Sequence, residues 1–333
     1  METRILYVVA LILTAVLTAL ISRKLIPFLK SKKMGQKILE IGPRWHKNKE
    51  GTPTMGGVAF IIAITLVFAA VMLAGYLLGV IENYGFVTLV YLFALFNGLI
   101  GVVDDLAKFS HGRNQGLTAM QKYLLQLVAA AFFLFGAYML DYVDTTLAIP
   151  FTDIKLDLGI VYYIFSLILI TGTVNAVNLT DGIDGLASSV TMVVCVFFSV
   201  VGLYNVGQPD LAMLAGCGVG GCLGFLVYNF HPARVFMGDT GSLFLGGLVV
   251  GMTYMLGSPL IIVLVGIIYM IETASVILQV GYFKLTHGKR LFKMSPIHHH
   301  FEKCGWSEVK IVSVFSLVTF IICAIVFVFQ YVI

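Results

Sequence analysis

The sequence predicts an all-α polytopic membrane protein of about ten transmembrane helices. Three observations lead there. Of its 333 residues, 59% are hydrophobic and 11% charged, whereas a soluble domain carries about 25% charged residues. Ten apolar runs reach or approach the roughly 20 residues that a spanning helix needs. The longest polar stretches, 23–55 and 284–310, have the size of loops, so residues 1–333 read as a single integral membrane domain.

The first run, 5–22, is too long for the apolar core of a signal peptide. It lacks an Ala-x-Ala site and is followed at once by Arg23-Lys24, so it is expected to stay as a span. The next runs are 57–79, 86–103, 123–140, 159–176, 185–203, 211–230, 241–256, 259–283 and 311–332. The seventh contains Gly216-Cys-Gly-Val-Gly-Gly-Cys-Leu-Gly224, small residues that let membrane helices approach closely. The eighth is short, which recesses its start below the membrane surface. Cys195, Cys217, Cys222 and Cys323 lie in apolar runs and Cys304 in a polar loop. An odd number without a Cys-x-x-Cys motif argues against both a disulfide framework and a zinc site.

Ten spans generate two alternating sets of loops. One set, 23–56, 104–122, 177–184, 231–240 and 284–310, holds 19 of the 21 Lys and Arg. Positive residues stay inside, so this set is cytoplasmic and both termini are outside. All seven histidines (His46, His111, His231, His287, His298, His299 and His300) fall in the same set. Chemistry is therefore expected at the cytoplasmic face.

Five polar segments interrupt the apolar pattern there. In Gly101-Val-Val-Asp104-Asp105-Leu-Ala-Lys108, two carboxylates close span three, where the helix dipole favours cations. The solvated start of a loop is the bland alternative. Asn175-Ala-Val-Asn178-Leu-Thr-Asp181-Gly-Ile-Asp184-Gly185 puts two acids and an amide in one turn before span six. One acid suits an N-cap; Asn178, Asp181 and Asp184 together form a polar cup at a helix N-terminus, able to receive an anion. Asn229-Phe-His-Pro-Ala-Arg-Val-Phe236-Met-Gly238-Asp239-Thr-Gly241-Ser242 enters span eight. Capping by Ser242 or Thr240 leaves Asp239 free for a metal; capping by Asp239 itself is the alternative. Pro296-Ile-His298-His299-His300-Phe-Glu302 lies near Lys289, Arg290 and Lys293. Consecutive histidines cannot all face one ion on a regular element, so phosphate binding fits them better than zinc. Lys47-Asn-Lys49-Glu-Gly51-Thr-Pro53-Thr54-Met-Gly56-Gly57 joins a cationic loop, suited to anionic headgroups, to a rigid turn.

Five acids with lysines and histidines at one membrane face suit a hard cation, Mg²⁺ or Mn²⁺, and a diphosphate. The reaction class is then metal-assisted phosphoryl transfer. A secondary transporter is the rival from another class, but its site belongs near the bilayer midplane. Glu272 is the one charge at that depth. It costs about 2.5–3.5 kcal/mol on insertion scales, so it is expected to face the protein interior or a bend.

In this order, from about Gly51 to Glu302, the five segments resemble the phospho-N-acetylmuramoyl-pentapeptide transferase family of bacteria. The aspartates are shared with the wider polyprenyl-phosphate sugar-phosphate transferases. The unbroken His-His-His and Thr-Pro-Thr-Met-Gly-Gly resemble the muramoyl-pentapeptide branch. The resemblance implies transfer from UDP-N-acetylmuramoyl-pentapeptide to undecaprenyl phosphate, giving lipid I and UMP in peptidoglycan synthesis. It also implies Mg²⁺ and a homodimer in the plasma membrane, with no nucleic-acid partner. Among catalytic residues it implies Asp104 and Asp105, as base or phosphate-site groups, with Asp239 as the Mg²⁺ ligand. His298 joins them from the histidine run. Asp184, Asn229 and Phe236 would hold the uridine, and Lys49, Thr54 and Lys122 would line the polar site. Asn178, Asp181, His298, His299 and His300 complete the expected substrate contacts. A sister enzyme using UDP-N-acetylglucosamine stays open.

Overall fold

Hydrocarbon leaves no partner for an unpaired backbone N–H or C=O, so a chain this apolar crosses a membrane as helices. The computed structural model describes residues 2–32, 34–35, 49–110, 116–204 and 207–333, with backbone only for 109 and 110. His46, Lys47 and His111 lie outside the described residues. The helices are α1 (Glu2–Ser31), α2 (Gly57–Leu77), α3 (Gly85–Ser110), α4 (Ala119–Met139), α5 (Ile160–Thr180), α6 (Leu186–Tyr204) and α7 (Pro209–Asn229). They continue as α8 (Gly238–Met255), α9 (Ile261–Val265), α10 (Ile267–Leu285), α11 (Ile297–Lys303) and α12 (Glu308–Phe327), which runs on into a π-turn at Val328–Val332.

Among the described residues, eight helices are long and apolar enough to span a membrane: α1 to α7, and α12 with its π-turn. The other two apolar runs differ from a simple span. Run 241–256 becomes α8, of 18 residues. Run 259–283 breaks at Gly266, which ends α9 and begins α10. The all-α expectation also needs one correction. Thr146–Ala148 (β1) pairs antiparallel with Lys155–Asp157 (β2), in the register Thr146↔Asp157. The alternating Thr-Leu-Ala and Lys-Leu-Asp segments flank a turn at Pro150 and satisfy each other's backbone.

Helix α8 is the axis of the bundle: every residue from Thr240 to Met255 is buried. A helix apolar on all sides is one surrounded by protein or lipid. Here α2, α3 and α5 surround it. Phe60 of α2 meets Phe225 of α7 edge-on at 5.3 Å and Phe244 of α8 at 6.1 Å, locking three helices together just below the polar end. The glycine-rich face of α7 packs on α1, as its composition predicted. A Cβ on Gly220 would stand 2.3 Å from the carbonyl oxygen of Leu11. Large apolar side chains such as Leu73, Phe132 and Ile160 stay exposed on the outer helices, the surface expected to meet lipid tails.

Candidate active site

The polar segments converge where α3, α5 and α7 end and α4 and α8 begin. Asp105 closes the accounting at the start of α8. Its Oδ2 accepts from the Thr240 backbone N–H at 2.9 Å and from Thr240 Oγ1 at 2.8 Å, and its Oδ1 accepts from the Asp239 N–H at 3.3 Å. The first N–H groups of a helix have no intrahelical partner. Asp105 supplies one from another helix, so α8 is capped across the bundle. Neither capping scheme expected for this turn holds: Thr240 donates to Asp105, and Ser242 donates to the Gly238 carbonyl. Asp239 makes no cap and points its carboxylate away, toward cations.

Asp239 Oδ2 lies 2.7 Å from Lys108 Nζ and 3.0 Å from Lys122 Nζ; its Oδ1 accepts from Asn178 Nδ2 at 2.7 Å. Lys108 also reaches Asp104 Oδ2 at 2.7 Å and Asp105 Oδ1 at 3.4 Å. This eases the misfit of two acids at a helix C-terminus, since a lysine one turn on faces both. Asp104 Oδ1 accepts from the Leu117 N–H at 2.8 Å. That bond pins the connection to α4, whose first turn is closed by a reciprocal Thr118–Gln121 capping box. Lys122 follows one residue later. A lysine near a helix N-terminus opposes the dipole; this one is compensated by Asp239.

Oxygens of Asp104, Asp105 and Asp239 lie within 4.8 Å of one another. Three hard oxygen donors suit Mg²⁺ or Mn²⁺. Lys108 Nζ sits where they converge, on a flexible stem that is about one-third exposed, so it can give way to an ion. Three carboxylates against two ammonium groups leave the cluster one negative charge. Asp181, at the C-cap of α5, has its carboxyl pushed well above the usual carboxylate range, by burial first and then by the charges of Asp239, Asp105 and Asp184.

A second cluster lies beside the first. Lys49 Nζ bonds Asp184 Oδ1 at 2.7 Å and the Glu308 carboxylate at 2.6 Å. Asp184 Oδ2 accepts from the Ala233 N–H and from His231 Nδ1, both at 3.0 Å, while the Asp184 N–H donates to Glu308 Oε2 at 2.9 Å. Among the described residues, none of the donors to Asp184 belongs to α6, so it acts as a hub and not as that helix's cap. A cavity of about 310 Å³, lined by His231, Glu302, Lys303, Trp306, Ser307 and Glu308, adjoins this hub.

The remaining expected residues fall into three arrangements. The Thr-Pro-Thr-Met-Gly-Gly run clamps the turn before α8: Phe236 N–H donates to the Pro53 carbonyl, and Gly56 N–H donates to that of Phe236, each at 2.8 Å. Thr54 packs against Gly238. Asn229 is buried and holds the same turn, donating to the Val235 carbonyl at 3.0 Å and accepting from Ser188 at 3.1 Å. The three histidines diverge. His298 is fully buried against Gly182 with Nδ1 3.0 Å from Glu272 Oε2. His299 Nδ1 meets Glu302 at 2.6 Å, and His300 Nδ1 accepts from the Lys293 N–H at 3.1 Å.

Sequence reasoning did not single out Lys108, His231 or Glu308 as site residues. Lys108 carried a signal, the four-residue spacing from Asp104. Glu308 carried none, because an acid after Ser307 reads as ordinary first-turn chemistry.

A helical membrane bundle gathering three carboxylates and two lysines at one end has the framework of a membrane-embedded transferase. The comparisons make that class specific. Residues 86–257 match the model of glycosyl transferase family 4, and residues 49–61 match signature 1 of the phospho-N-acetylmuramoyl-pentapeptide-transferases. A phospho-N-acetylmuramoyl-pentapeptide-transferase of Clostridium perfringens (strain 13 / Type A) is 46% identical over 320 residues, covering 96% of this chain and 97% of its own. That of Clostridium novyi (strain NT) is 48% identical, covering 91% and 90%. That of Clostridioides difficile (strain 630) is 44% identical, covering 89% of each. The chain belongs to the phospho-N-acetylmuramoyl-pentapeptide-transferase family.

Proposed function

We propose that this protein transfers phospho-N-acetylmuramoyl-pentapeptide from its UDP-activated form to undecaprenyl phosphate, giving lipid I and UMP for peptidoglycan synthesis. The observation that carries the reading is the Asp104–Asp105–Asp239 cluster, threaded by Lys108 and Lys122, in a chain of this family. The test uses purified protein, Mg²⁺ and undecaprenyl phosphate with each UDP-sugar in turn. UMP release with the muramoyl-pentapeptide substrate and none with UDP-N-acetylglucosamine is the expected result.

Asp239 would hold the Mg²⁺, with Asp104 and Asp105 beside it, and the ion when bound offsets charge on the diphosphate. Lys108 and Lys122 bring positive charge to the phosphates. Lys49, Thr54, Asn178, Asp181, Asp184, Asn229, Phe236 and the three histidines shape the substrate site, directly or from behind. Asp105 has both oxygens engaged in holding α8. Asp104, with one backbone bond and a mobile lysine, is the better candidate to orient the acceptor or take a residual proton.

The acceptor phosphate attacks the sugar-side phosphorus directly in this reading. A phosphate monoester has a second pKa near 6, so at neutral pH it is largely dianionic and already nucleophilic. It needs positioning and charge neutralisation more than a strong base. The phosphorus–oxygen bond to the acceptor forms as that to UMP breaks, exchanging one phosphoanhydride for another. Labelled UMP should therefore enter the UDP-sugar only when lipid product is present. Exchange in rigorously lipid-free enzyme, with a sugar-phosphate adduct on Asp104 or Asp105, would overturn direct attack.

Ten passes, both termini outside and a cytoplasmic site in the plasma membrane complete the proposal, together with a homodimer. The Lys and Arg asymmetry supports the orientation, as does counting α8 and the α9–α10 pair as passes. Cys304 is the exposed cysteine among the described residues; the other four are buried. An impermeant maleimide should label it in inside-out vesicles and not in intact spheroplasts. Labelling from outside would invert the orientation and move the site with it.

A further inference from the structure

Among the described residues, Glu272 is a buried charge that the proposed reaction leaves unused. It projects inward from α10, whose Ile277 and Leu278 stay exposed on the other side, and it is fully buried. Its nearest ionisable partner is His298 on α11, also fully buried, with Nδ1 3.0 Å from Glu272 Oε2. The pair is close but not aligned: among the described residues, neither carboxylate oxygen and neither ring nitrogen makes a well-directed hydrogen bond. Charge and contact hold the ring more than bond direction does. On its far side, His298 Nε2 faces Gly182, where a Cβ would stand only 2.2 Å from it. Gly182 follows Asp181 in the turn that leads to Asp184.

We propose that Glu272 is a positioning residue for phosphoryl transfer: it seats His298 beneath Gly182, and through that ring fixes the Asp181–Asp184 turn. The inference rests on the functional reading above only for its effect on turnover. The chemistry explains why an acid sits within a helix that breaks at Gly266. A carboxylate buried beside an imidazole holds the ring by proximity and contact, with Nδ1 toward Glu272. The other ring nitrogen then faces Gly182 of the turn. Only glycine leaves room there, so the turn is braced by a side chain that does not touch solvent. Bracing from a helix with an exposed apolar face also links the turn to the membrane-facing side of the protein.

The test joins two readouts. Glu272→Gln keeps the shape and removes the charge. Its kcat/KM should fall by about 10- to 100-fold, the range for residues that orient a functional group from behind, with KM for the UDP-sugar rising as well, because Asp181 and Asp184 shape the substrate site. Amide hydrogen exchange in the 181–185 segment should rise, while melting temperature moves little. His298→Asn should do the same and carries the test where Glu272→Gln misfolds. Because Glu272 acts through His298, the double variant should be no slower than His298→Asn alone. Multiplying effects in the double variant, or unchanged exchange at 181–185 in the single ones, would overturn the inference whatever the substrate. Failure of the wild type to form lipid product would instead overturn the functional reading, and the exchange result would still decide the role of Glu272 in the turn.

Discussion

Asp239→Asn is expected to leave a folded membrane protein with turnover lower by about 10²- to 10³-fold, the scale for removing one preorganised charge-stabilising group. The fold should survive because Asp239 does not cap α8. The Asp105 carboxylate does, through Thr240 N–H and Oγ1. Chemistry should fail for a local reason. Asp239 Oδ2 receives both Lys108 and Lys122, and Oδ1 receives Asn178. An amide keeps one acceptor and turns a second donor toward groups that only donate, two ammonium ions or the Asn178 amide nitrogen. The cluster also loses its net negative charge and with it the attraction for a divalent cation. The Mg²⁺ concentration for half-maximal rate should rise. The measurement is kcat against Mg²⁺, beside elution and melting of the detergent-solubilised protein. Near wild-type turnover at limiting Mg²⁺ would mean that Asp239 serves Lys108 and Lys122 alone.

The legible part of this molecule is the part written in local pattern. Apolar length revealed the runs, and small residues on α7 announced close packing by another helix. A lone acid in a lipid-length run had to face inward, and Glu272 does. The partners were not legible. Asp105 capping α8, Lys49 meeting Glu308 across 259 positions, and His298 lying against Gly182 all depend on how the bundle closes. The break at Gly266 looked like any other of the 34 glycines, because nothing local separates a packing glycine from a hinge. The histidine run announced its chemistry but not its partners. Adjacent residues on a helix diverge, and so do the three imidazoles. Each of them meets a different partner: Glu272, Glu302 and the Lys293 backbone.

The same dependence on closure makes Gly101→Ala expected to abolish most activity without touching a charged group. Gly101 lies on α3 one turn before Asp104. A Cβ there would stand 2.2 Å from the Asp239 carbonyl oxygen, 2.4 Å from its carbon and 2.5 Å from the Thr240 nitrogen. All three are backbone atoms at the start of α8, so no side chain can swing aside. The helices must separate by about an ångström, a displacement that can cost on the order of 10²-fold in rate. Separation acts on the cluster from both sides, because Asp104, Asp105 and Lys108 ride on α3 while Asp239 rides on α8. It also stretches the Asp105 bonds to Thr240, loosening the cap that fixes the aim of Asp239. Stability should fall as well, since packing without a gap is what holds membrane helices together. Gly172→Ala is the control: Gly172 lies within α5, and a Cβ there meets nothing within 4 Å. That variant should keep wild-type kcat and gain slightly in melting temperature, because alanine is the better helix former. Equal activity in the two variants would show that close contact between α3 and α8 is not what assembles the site.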